Sequence, residues 1–222
     1  MRIFHLHFGK DGGAERFFVK LAGALDRRGV AQAAFIRPGR AWRSDLPVSM
    51  EVLEGVPRAL TRPWLAWRRQ RLARRFQPDA FLAWMPRAAE FLPATASVPR
   101  LTRLGDYPKD LAAFRHTDIL VCNTPGIADH VRHLGWTRRV EVISNFSPAP
   151  VGEPVSRETL GVPAGAFLVV GVGRLVPRKG FASLVRAVAA LPGVHLRIVG
   201  SGGEEEALRQ LARSLGADDR IR

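Results

Sequence analysis

The feature that most constrains this chain is an alternation that runs almost from end to end. Short apolar runs follow one another, separated by segments whose apolar residues recur at helical spacing. "RIFHLHF" (2–8), "VAQAAFI" (30–36), "VSMEVL" (48–53), "DAFLAWM" (79–85), "RLTRLG" (100–105), "DILVCNT" (118–124) and "RVEVIS" (139–144) read as strands. Residues 14–28, 62–76 and 125–134 read as helices, and in the first of these Phe17, Leu21, Ala24 and Leu25 share a face. Strands that alternate with helices in this way form a parallel sheet wrapped by helices.

The texture changes after residue 144. Residues 145–166 hold Pro148, Pro150, Pro154 and Pro163 with no sustained periodicity, which is the composition of a linker. The alternation then restarts with a strand at 167–172, a helix at 181–191, a strand at 194–200, a glycine turn and a helix at 204–215. In "DDRIR" a further strand begins. The expected fold is α/β, with two Rossmann-like doubly wound domains. Residues 1–150 make the first, and 151–222 make a linker and the first half of the second.

Charge narrows the partners. The 222 residues carry a net +14, of which +11 falls in residues 1–150 (24 Lys+Arg against 13 Asp+Glu) and +3 in the remainder. Such an excess suits a polyanion: nucleic acid, anionic lipid or a phosphorylated sugar. No zinc-ligand spacing, RNP-type aromatic motif or helix-turn-helix pattern supports nucleic acid, so none is expected. The single cysteine, Cys122, excludes an intramolecular disulfide and suits a reducing compartment. With His5, His7 and Lys10 inside it, the first apolar run reads as a strand and not a signal peptide. No stretch approaches the ~18–20 uninterrupted apolar residues of a membrane span. A cytoplasmic protein is expected.

The densest chemistry lies in "VGVGRLVPRKGFASL" (170–184), where a strand hands over to a helix through Gly171, Gly173, Arg174, Arg178, Lys179 and Gly180. Such turns sit at the carboxyl edge of a parallel sheet, where ligands bind. Glycines admit an anion to the backbone N–H groups, Arg174 offers a planar fork and Lys179 a point charge, a set suited to a diphosphate. The alternative is a solvated loop with scattered basic residues. The turn is neither G-x-G-x-x-G, because Val176 occupies the last glycine's place, nor a P-loop. "FGKDGGAERFF" (8–18) places Gly12 and Gly13 at a similar strand-to-helix turn, as an anion site or a tight helix start. Two such turns in successive domains point to a ligand held in a cleft between them.

"DGGAER", "VISN" (142–145), "VGRLVPRKG" (172–180) and "LRIVGSGGEEEALRQLA" (196–212), in this order and spacing, resemble family 4 of the glycosyltransferases, enzymes of the GT-B fold. The resemblance implies transfer of a sugar from a nucleotide-sugar, with retention of anomeric configuration and without a metal or other cofactor. It implies that Arg174 and Lys179, with Gly173, hold the donor diphosphate, and that Gly12 and Gly13 line the same cleft from an acceptor-binding first domain. In that family a paired-glutamate motif, E-x7-E, contacts the donor later in the second domain. No two glutamates here stand eight positions apart, so the chain is expected to be truncated in its second domain. Where many members place a histidine, this chain has "RLGDY" (103–107), which makes Asp106 a candidate catalytic residue or a simple turn cap.

"RALTRPWLAWRRQRLARRF" (58–76) holds seven arginines and no acid. Leu65, Leu72 and Phe76 share a face that can pack on a sheet, while Trp64 and Trp67 fall among Arg68, Arg71, Arg74 and Arg75 on the other side. That pattern fits an interfacial helix on anionic headgroups, or a solvated helix whose rings fold over arginine stems. With the charge concentrated in the first domain, a lipid-linked or lipopolysaccharide-core acceptor is expected, on a chain peripheral to the inner face of the cytoplasmic membrane. The competing reading is a non-catalytic basic α/β module, truncated or degenerate, that binds an anionic membrane surface or nucleic acid. His130 and His133 stand at i, i+3 on a helix without a third ligand nearby and read as surface or capping residues.

Overall fold

The computed structural model describes residues 1–55, 62–147 and 152–222. The chain divides into two compact units, Met1–Pro148 and Ala149–Arg222. The expected boundary at 150/151 lies outside the described residues.

In the first unit the apolar runs become β1 (Arg2–His7), β2 (Ala31–Ile36), β3 (Glu51–Glu54), β4 (Ala80–Trp84), β5 (Arg100–Leu104), β6 (Ile119–Cys122) and β7 (Arg139–Val142). They form one parallel sheet in the order β3-β2-β1-β4-β5-β6-β7. Strand order reverses between β1 and β4, so the carboxyl ends of these two strands border the crevice where doubly wound sheets bind ligands. Helices α1 (Gly13–Asp26), α2 (Arg62–Phe76), α3 (Met85–Ala89) and α4 (Pro125–His133) connect the strands. On one face Leu65, Leu72 and Phe76 of α2 pack with Phe4, Leu6 and Phe35, as the helical spacing predicts. On the other, Phe17, Phe18 and Ala22 of α1 pack with Trp42, Met50 and Trp84.

The sequence differs from the structure at Met85. "DAFLAWM" reads as one strand, yet the chain leaves the sheet after Trp84, Met85 adopts φ 68°, and α3 starts there. An apolar run carries no signal for a change of backbone hand, so the turn was invisible in it.

The second unit pairs β8 (Phe167–Val172) in parallel with β9 (Val194–Val199). Helices α5 (Phe181–Ala189) and α6 (Glu205–Ser214) bury Phe181, Val185, Leu208 and Ala212 against Leu196. A parallel bridge from Leu196 to Ile221 continues this pairing through "DDRIR". Two arginines tie the unit together through carbonyl groups. Arg220 donates to the carbonyls of Val188 (2.8 Å) and Ala189 (2.6 Å) at the C-terminus of α5, where helix carbonyls lack partners and cations are favoured. The buried Arg197 donates to Leu160 (2.7 Å) and Gly161 (2.9 Å), fastening the end of the proline-rich segment to the sheet.

His5 and His7 lie on the same face of β1, both enclosed beneath α1. His5 accepts from Trp84 Nε1 at Nδ1 (3.4 Å) and donates from Nε2 to Gln32 Oε1 (3.1 Å), and Gln32 donates to the Ala22 carbonyl (2.8 Å). This chain of donors fixes one neutral tautomer. Burial lowers His5 to about 4, and burial with the neighbouring His5 and Arg40 charges lowers His7 to about 3. Unfolded histidines bind protons near pH 6.5, so below that pH the unfolded state takes up protons that the folded state refuses. Stability is therefore complete above pH 6.5 and falls as pH drops toward 4. Thermal melting between pH 7.5 and 4.5 should show this decline, on the order of a few kcal/mol in all, and a His5→Gln/His7→Phe double variant should flatten it.

Candidate anion-binding site

The turn after β8 is built by backbone packing. Gly173 N–H donates to the Val199 carbonyl (3.0 Å) and Leu175 N–H to the Ser201 carbonyl (2.9 Å), so residues 173–175 run alongside residues 199–201. A Cβ at Gly200 would overlap the Gly173 carbonyl oxygen, and one at Gly202 would overlap the Leu175 backbone. Both positions must stay bare for the two segments to lie flush. Leu175, buried in the core, pins the turn from below. A 3-10 turn over Pro177–Lys179 follows, and Gly180, at φ 70°, turns the chain into α5.

This scaffold brings Arg174 and Lys179 to either side of one short turn at the carboxyl end of β8. Both side chains are exposed, and among the described residues neither has a carboxylate partner. Two cations left unneutralised beside a helix start can hold an anion and stabilise charge that develops on it. Gly173 sits half-buried at the base of the turn.

In the first unit Gly12 is the N-cap of α1, with an extended backbone whose carbonyl accepts from Arg16 N–H (3.1 Å). The space a Cβ would fill at Gly13 is open. Sequence reasoning missed Gly9, where a Cβ would overlap the Glu15 carboxylate and crowd the His7 ring. Asp106 follows β5 at the same carboxyl edge, exposed, and its Oδ1 accepts from Tyr107 N–H (2.9 Å).

A second missed residue, Arg103, lies under that edge. It is 6% exposed and donates to the Ile143 carbonyl (3.1 Å), to Asn123 Oδ1 (3.0 Å) and to Asn145 Oδ1, while its guanidinium stacks 4.6 Å from the Phe17 ring. Among the described residues no carboxylate neutralises it, and burial lowers its pKa. Its partners give "VISN" a structural role: Ile143 and Asn145 are held to β5 and, through Phe17, to α1. An arginine at an inward position of an apolar strand was the signal available in the sequence.

On α2, Trp64 and Trp67 are 55% and 56% exposed. The Arg68 guanidinium lies 4.8 Å over the Trp64 ring and that of Arg71 lies 5.5 Å over Trp67, each one turn apart. Arg75 differs from the expectation for an interfacial cation, because it pairs with Glu51 of β3. His130 and His133 meet backbone carbonyls of Pro108 (2.8 Å) and Asp129 (2.7 Å). Among the described residues no group of three or more His, Cys, Asp or Glu could hold a metal, and no helix is long and apolar enough to cross a membrane.

Comparison with known proteins places this geometry. Residues 153–222 match the model of the glycosyl transferases group 1 family. The whole chain is 51% identical to the lipopolysaccharide core biosynthesis glycosyltransferase LpsD of Rhizobium meliloti (strain 1021) and 49% identical to LpsE of the same organism. It spans 65% and 66% of the length of those relatives. Among solved structures, Anabaena HepE in complex with UDP superposes with a TM-score of 0.77 at 22% identity, covering 100% of this chain and 68% of that one. The fold is GT-B. The expected α/β architecture of Rossmann-like units is thereby established.

Proposed function

We propose that this chain is the acceptor-binding domain, with the beginning of the donor-binding domain, of a retaining, metal-independent glycosyltransferase. It would transfer a sugar from a nucleotide-sugar to a lipopolysaccharide-core or other lipid-linked acceptor at the inner face of the cytoplasmic membrane. The observation that carries the reading is the turn holding Arg174 and Lys179, two exposed cations on a backbone locked by Gly200 and Gly202. It is supported by 51% identity to a lipopolysaccharide core glycosyltransferase and by the UDP in HepE, whose fold this chain shares.

In this reading the donor diphosphate lies against Gly173 between the Arg174 fork and the Lys179 ammonium. Breaking the glycosidic bond leaves negative charge on the diphosphate, and cations already in position stabilise that charge without rearrangement. Gly12, Gly13 and Asp106 of the first unit are candidate site residues on the same reading. In the intact enzyme, replacing Arg174 and Lys179 together by alanine should weaken nucleoside-diphosphate binding by about 2–5 kcal/mol, measured by calorimetry. Unchanged affinity would refute the clamp.

The exposed Trp64 and Trp67 under stacked arginines support membrane recruitment through α2. Tryptophan rings at headgroup depth add apolar burial to the attraction of guanidinium for lipid phosphate. Pelleting with vesicles of mixed neutral and anionic phospholipid should fall severalfold when Trp64 and Trp67 become alanine, and should fall further at high salt. Equal pelleting of wild type and variant would remove α2 from the interface.

A further inference from the structure

The crevice at the switch between β1 and β4 is more specific than the glycine turn beside it. A cavity of about 350 Å³ opens there, lined by Phe8, Gly9, Trp84, Met85, Pro86 and Arg87. Its volume accommodates one hexose with a charged substituent, and its walls are chiefly apolar, as in small-molecule sites. Arg87 is exposed and, among the described residues, has no carboxylate partner. A second cation, Arg40 after β2, lies near enough to His7 to depress its pKa, and its buried Nε has no hydrogen-bond partner. The first unit thus presents arginines that the fold itself leaves unneutralised, at the edge where a doubly wound sheet takes its ligand.

The backbone holds Arg87 there at a cost. Met85 adopts φ 68°, a conformation that side-chain-bearing residues adopt rarely, and its Sδ receives Gly105 N–H (3.4 Å). That turn starts α3 at once after Trp84, which places Arg87 within this short helix and in the lining of the cavity.

We infer that this crevice selects an acceptor sugar that carries an anionic group, a carboxylate or a phosphate, and that Arg87 is the residue that recognises it. The inference rests on the acceptor-binding role proposed for the first unit. Trp84 and Phe8 line the apolar floor of the crevice, and Arg87 supplies the paired N–H donors that suit a carboxylate or phosphate.

The test is equilibrium binding to the intact protein of four probes: glucose, glucuronate, glucose 6-phosphate and inorganic phosphate. Glucuronate or glucose 6-phosphate should bind at least about tenfold more tightly than glucose, the difference expected for a charge-assisted hydrogen-bonded contact. Which of the two binds tells whether carboxylate or phosphate is read. Arg87→Gln, an exposed substitution that leaves the core untouched, should abolish the difference, and Arg87→Lys should restore part of it. Equal binding of glucose and the charged sugars overturns the inference, as does a preference that survives Arg87→Gln. Phosphate binding as tightly as the sugars also overturns it, because the site would then be a bare anion site. Sugar binding needs no catalytic turnover, so a protein that binds the charged sugars through Arg87 but transfers nothing would contradict the proposed activity and leave this inference standing.

Discussion

The candidate site of the second unit depends on the flush packing of two backbone segments, 173–175 and 199–202. The chain there gives up side chains at Gly200 and Gly202 so that carbonyl groups and N–H groups meet directly. With Leu175 buried beneath, the backbone that carries Arg174 and Lys179 is packed against the core of its unit. Two flexible cations on a loose loop would have to be ordered by each ligand they met. A backbone held in advance leaves only the two side chains to be ordered on binding.

The first unit solves a related problem with side chains. His7, Trp84 and Arg103 are register partners across β1, β4 and β5 and form a row just below the carboxyl edge. The Trp84 ring lies 5.5 Å from His7, and the Arg103 guanidinium lies 5.9 Å from Trp84. This row supports α1 and joins it to the end of β7 through Asn123, Asn145 and Phe17. A buried guanidinium without a carboxylate costs stability relative to an apolar residue of similar size. Its several oxygen acceptors and the aromatic stack offset part of that cost, and the result is an edge whose segments move together.

The parallel sheets and the helices between their strands were legible in the sequence because burial on both faces imposes long apolar runs at regular intervals. The α2 packing face was legible too, since Leu65, Leu72 and Phe76 obey helical spacing. Arg174 and Lys179 stood out because cations and glycines rarely crowd one turn without reason. What stayed hidden were features that depend on what lies opposite. Nothing in the sequence around Gly9 says that Glu15 folds across it. Asn145 gives no sign that Arg103 reaches it from β5, and Met85 gives no sign that its backbone reverses hand. The Arg75–Glu51 pair is hidden for the same reason, because it joins residues on different elements.

The central claim is that a pyrophosphoryl group sits between Arg174 and Lys179. The most direct measurement is a crystal structure of the intact enzyme with a nucleoside diphosphate bound. The account predicts diphosphate oxygens within hydrogen-bonding distance of the Arg174 guanidinium and of Lys179 Nζ, with the Gly173 backbone alongside. A nucleotide bound elsewhere, with both side chains still in solvent, would contradict it.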